Sequence, residues 1–72
     1  MKDKYNVWYR VHYVADGARQ HMDEKKQIES IEGMIARDVA ESYLPRAKNI
    51  ALPAGARFEY SEVLSMELAR QP

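Results

Sequence analysis

The chain has 72 residues, no cysteine, and eleven basic side chains against eleven acidic ones. That length holds a single domain over residues 1–72, with a thin core, because a chain of about 60 residues buries only about 60% of the surface its unfolded form exposes. Lacking cysteine, the chain has no disulfide framework, thiolate metal site or thiol nucleophile, and its cancelled charge argues against a domain that neutralises many phosphates.

The start, Met1-Lys2-Asp3-Lys4, is polar and does not read as a secretory signal. From Tyr5 to Val14 aromatic and β-branched residues alternate with a period of two, which predicts a strand over about 5–14. One face carries Tyr5, Val7, Tyr9, Val11 and Tyr13; the other carries Asn6, Trp8, Arg10, His12 and Val14. Asp16-Gly17 follows, and this dipeptide supplies the positive φ values of a two-residue hairpin turn. A second strand is therefore expected at about 18–24. Pairing Ala15 with Ala18 sets Val11 opposite Met22 on one face, with His12 opposite His21 and Arg10 opposite Asp23 on the other. An apolar pair then faces the core and an ion pair faces water, as a half-buried antiparallel sheet requires. Gln20 and Glu24 fall on the inner face, which marks this strand as short or as an edge.

Ile28, Ile31, Ile35, Val39 and Tyr43 recur every three or four residues and predict a helix over about 26–44, stopped at Leu44-Pro45. Gly33 is a defect within it, and Met34, Arg37, Ala40, Glu41 and Leu44 fall on its outer side. Residues 45–56 read as a loop with a turn at Pro53-Ala54-Gly55. From Arg57 alternation returns and predicts a third strand over about 57–69. Phe58, Tyr60, Leu64, Met66 and Leu68 share the inner face, and Glu62 interrupts that series, so a bulge is expected near Ser61-Glu62. The tail Arg70-Gln71-Pro72 is expected to fray.

The fold class is thus α+β in the order β-β-α-β: a three-stranded antiparallel sheet of order 2-1-3 with one helix on one face. The competing arrangement drops the second strand and leaves a parallel β-α-β crossover.

The sheet face opposite the helix gathers the candidate binding residues Trp8, Arg10, His12, His21 and Asp23. A tryptophan on an open sheet is a typical anchor for a partner, because Trp, Tyr and Arg are enriched among interface hot spots. Were the strand phase inverted, Trp8 would instead be core. Two histidines and a carboxylate form a recognised metal-ligand set, but cross-strand polar pairs are routine and no glutamate is spaced to complete this one; no metal or cofactor is expected. Rings on a sheet also suit single-stranded nucleic acid, yet most rings here share the inner phase. No phosphate-binding loop, H-E-x-x-H or nucleophile motif is present, so no enzyme is expected. No run approaches the about 20 apolar residues of a membrane span.

The expectation is a cytoplasmic, non-enzymatic protein–protein interaction module, of the adaptor or inhibitor kind that phages and plasmids use against host machinery. Its partner is another protein, with a homodimer as a further option and single-stranded nucleic acid as the alternative partner.

Overall fold

Strand β1, Lys4–Ala15, is the centre of the structure, a computed structural model that describes residues 3–69. The expected fraying of Arg70 to Pro72 lies outside those residues. β1 alternates as its sequence demands: Val7, Tyr9, Val11, Tyr13 and Ala15 are buried, and the residues between them are half-buried. Asp16 and Gly17 have φ of 52° and 74°, the pair of positive values that a type I′ turn requires. The turn fixes the expected register: Ala15 pairs with Ala18, His12 with His21, Val11 with Met22 and Arg10 with Asp23.

The chain then departs from expectation. β2 runs Ala18–Glu29, twelve residues matching β1 to its far end, where Lys4 pairs with Glu29. The helix expected over 26–44 shrinks to α1, Ala36–Ser42. Two physical reasons explain the shift. Continued pairing with β1 gives alternate residues from Lys25 to Glu29 ladder hydrogen bonds, where the first turn of a helix would leave its N–H groups to water. Gly33 sits at φ 86° in the turn before α1, outside helical geometry altogether. The three-to-four spacing of the isoleucines was thus partly coincidental: Ile28 is buried from the sheet, whereas Ile31 and Ile35 are exposed. Charged Glu24 and Lys26 do face inward from β2. Lys26 is accommodated by laying its stem toward the Tyr9 ring, 5.8 Å from the ammonium, and reaching the Tyr43 carbonyl at 3.4 Å.

β3, Arg57–Ala69, completes an antiparallel sheet of order β2-β1-β3. α1 packs on the inner face. Val7, Tyr9, Ile28, Val39 and Ala40 form the core cluster, with Tyr5, Leu44, Val63 and Met66 against it. Ala40 and Leu44, expected on the outer side of the helix, belong to this contact. Each large apolar side chain fully buried in this way contributes about 1.5–3 kcal/mol. The Tyr9 hydroxyl donates to the Ala40 carbonyl at 2.7 Å, which locks α1 onto β1. Toward the hairpin end the covering layer is the loop after α1. Pro45 is fully buried, its carbonyl held at 2.6 Å by the Ser61 hydroxyl, and a single 3-10 turn, Ala47–Asn49, follows.

Candidate functional site: the open face of the sheet

The inner layer leaves the other face of the sheet uncovered: the outward residues of β2, from Arg19 to Glu29, are exposed. All five expected site residues lie on this face. Trp8, Arg10 and His12 run along β1, with His21 and Asp23 opposite them on β2. The strand phase was therefore right, and Trp8 is a half-buried surface residue, not core.

Two register shifts in β3 shape what surrounds these residues. The expected bulge near Ser61-Glu62 is absent. Instead the β1–β3 register slips between Trp8 and Tyr9 and again between His12 and Tyr13, leaving Leu64 and Glu59 without opposite numbers. Each extra residue reverses the phase of the strand. Between the two slips, Ser61 and Val63 turn inward, opposite Val11 and Tyr9, while Tyr60 and Glu62 turn outward, opposite His12 and Arg10. Tyr60, expected in the core, is 54% exposed and belongs to the open face.

The result is a row of side chains pinned from both flanks. The Arg10 guanidinium makes a two-pronged contact with Asp23, Nε to Oδ1 at 2.8 Å and the second nitrogen to Oδ2 at 3.1 Å. This hydrogen bond raises the Arg10 pKa and holds the Asp23 carboxyl below its ordinary value. On the other flank the His12 Nε2 meets the Glu62 carboxylate at 2.5 Å. Since a carboxylate only accepts, the Nε2 position carries the proton and donates. Tyr60 stacks on the His12 ring, centroids 4.3 Å apart and planes 16° from parallel, and the His21 ring lies tilted at 6.3 Å. The Lys25 ammonium stands 5.3 Å over the Trp8 ring. Arg19 and Glu59 approach to 3.7 Å from the two outer strands.

These contacts define what the face can do. Lys4, Arg10, Arg19, Lys25 and Arg57 are matched by Asp23, Glu29, Glu59, Glu62 and Glu67, with the signs interspersed. Such a surface has no field to concentrate a polyanion. The His12 ring is held between Tyr60 and His21, and the Lys25 ammonium lies over the Trp8 ring. Among the described residues, no three His, Asp or Glu side chains converge as a metal-holding group, and no helix is long and apolar enough to cross a membrane.

Sequence reasoning missed Tyr60, Glu62 and Lys25. The signal was present for Glu62, whose charge interrupted the apolar series, but one bulge was inferred where two stand. No family model matches the chain, and no curated protein or solved structure matches it.

Proposed function

We propose that the protein is a small, non-enzymatic interaction module that binds another protein through the open face of its sheet, as an adaptor or an inhibitor. The observation that carries this reading is the pinned row Trp8–Arg10–His12 with Tyr60 stacked beside it. Aromatic and arginine side chains are the groups that dominate protein interfaces. Ordering a free side chain on binding costs about 0.5–1.5 kcal/mol, and here much of that ordering already exists in the unbound chain. The charged members are neutralised by neighbours within the sheet, so a partner can cover them without leaving a lone charge buried. Trp8 supplies the apolar area at the centre of the contact, and Tyr60 and His12 supply a second flat surface four residues along β1.

The alternative is single-stranded nucleic acid stacked on the same rings, favoured by the outward turn of Tyr60. The balanced charge of the face places it second.

The test uses the tagged full chain as bait against extract of its source cell, beside Trp8→Ala and Tyr60→Ala, with captured proteins quantified. The reading expects a protein retained by the wild-type chain and lost, about tenfold or more, from both variants, which corresponds to a hot-spot loss of at least about 1.4 kcal/mol. Capture that both variants leave unchanged would refute the open face as the site. Capture that disappears on nuclease treatment and weakens steeply with salt would transfer the site to nucleic acid.

A further inference from the structure

We propose that the domain pairs with a second copy of itself along the free edge of β2, the two β2 strands running antiparallel about a two-fold axis at Lys25. The two sheets then join into one of order β3-β1-β2-β2-β1-β3. The inference is independent of the open face, which this pairing leaves uncovered.

β2 is an outer strand of the sheet, and the phase of the ladder decides which of its backbone groups are free. The Ser30 N–H donates to the Asp3 carbonyl at 2.8 Å, continuing the register in which Lys4 pairs with Glu29. Antiparallel hydrogen bonds alternate along a strand, so the even-numbered residues of β2 turn their N–H and C=O groups to β1. Arg19, His21, Asp23, Lys25, Gln27 and Glu29 turn theirs outward. Among the described residues these groups meet no further strand and no loop backbone.

This edge is long and even. It spans twelve residues with no shift of register against β1, whereas β3, at the other edge, is offset twice. Such an edge is a template for another strand unless something guards it. The guards here are Glu24 and Lys26, charged side chains on the inward face. Both are half-buried, and neither has an ion-pair partner among the described residues. An apolar strand from elsewhere would leave both charges unpaired, which is how a surface rejects a wrong partner.

Their spacing admits the chain's own strand. A two-fold axis normal to the sheet keeps the inward residues of both copies on one side. Centred on Lys25, it sets Met22 opposite Ile28 and Glu24 opposite Lys26, each twice. The inward row is thus self-complementary, with apolar meeting apolar and acid meeting base, the pairs that stabilise neighbouring strands. An axis at Glu24 would oppose that carboxylate to its own copy and Met22 to Lys26. An axis at Lys26 would oppose two ammonium groups and set Glu24 against Ile28. The backbone agrees with the Lys25 axis: Lys25 meets Lys25, Asp23 meets Gln27 and His21 meets Glu29, all residues whose N–H and C=O point outward. The one like pair, Lys25 with its copy, stands on the water side, where salt screens it. Its ammonium is also drawn back over the Trp8 ring of β1, at 5.3 Å, away from the axis.

Sedimentation velocity of the full chain over about a hundredfold range of concentration tests the proposal, since a dimer dissociates by mass action. The expected result is a species of twice the chain mass. Glu24→Lys and Lys26→Glu should each sediment as single chains where the wild type is paired, because each sets like charges across the axis. Mixed in equal amounts they should recover the double mass, since every Lys then faces a Glu. Variants that had merely lost their fold would not rescue each other. The register is read by cross-linking, in a chain with no cysteine of its own. Opposite residues of a hydrogen-bonded antiparallel pair have Cα atoms about 5.5 Å apart, within disulfide range. Gln27 and its copy would be about 14 Å apart along the strands. Lys25→Cys is therefore expected to oxidise to a covalent dimer at least about tenfold faster than Gln27→Cys. A single-chain mass at every concentration would overturn the proposal and leave the edge to a strand of another protein. So would a dimer that both charge reversals leave intact, or equal cross-linking of the two cysteine variants.

Discussion

Replacing Tyr9 with phenylalanine isolates the bond that joins the helix to the sheet. Tyr9 is fully buried, and its hydroxyl donates to the Ala40 carbonyl at 2.7 Å. That carbonyl also accepts the Tyr43 backbone N–H at 3.1 Å, so Tyr9→Phe leaves it partnered. The ring remains and no cavity opens. The loss is therefore the net worth of one hydrogen bond, about 1 kcal/mol, or about 4–8 °C in Tm for a domain of this size. Tyr9→Ala, by contrast, empties the largest site in the core and is expected to cost about 3–5 kcal/mol.

Alkaline pH supplies a second reading of the same bond. Burial, reinforced by Glu41 and Glu24 and then Tyr43, raises the Tyr9 pKa above its ordinary value of 10.0. The neutral phenol is thus favoured in the folded state, and its stabilisation is complete below pH of about 10 and is lost as pH rises through the higher folded value. Urea unfolding at fixed protein concentration, from neutral pH to above pH of about 10, should show Tyr9→Phe less stable at neutrality and converging with the wild type at the alkaline end. Equal stability at neutral pH, or a gap that widens with pH, would refute the assignment of this bond.

Two further outcomes follow from the strands. Gly17→Ala places a Cβ at φ 74° in the hairpin turn and should cost about 1–2 kcal/mol in urea unfolding, because the left-handed region penalises L side chains. Asp23→Asn removes a carboxyl whose pKa is lowered by its hydrogen bond to Arg10; the pair's contribution is present above the ordinary carboxylate range and is lost as pH falls through the depressed value. Wild type and variant should differ slightly at neutral pH, since the pair is open to water, and coincide in strong acid.

The sequence carried the hairpin and the outer row of β1 in full, because strand period and turn chemistry act over a few residues and leave local marks. Asp16-Gly17 alone determined which residues meet across β1 and β2, and so brought His12 to His21 and Arg10 to Asp23. The segment after Glu24 was misread because isoleucines at 28, 31 and 35 satisfy a helical spacing, whereas the outcome was decided by twelve residues of pairing with β1. Gly33 was the local warning, as its conformation lies outside the helix. In β3 the strand was legible but its phase was not. Each bulge reverses every side chain beyond it, and the positions of the slips depend on which residues of β1 and of the helix layer must be met. Ser61 turns inward to hold the Pro45 carbonyl, a contact sixteen residues away in sequence that no local pattern announces. That turn is what presents Tyr60 and Glu62 to His12, so the part of the site that reasoning missed is the part built by tertiary packing.

The most direct test of the account is the emission of Trp8, the single tryptophan, measured with a soluble quencher over a range of protein concentrations and with the captured partner added. The account predicts a ring open to the quencher in the free chain, with protection appearing when the captured partner is added. A blue-shifted emission, shielded at every dilution, would contradict the open face itself.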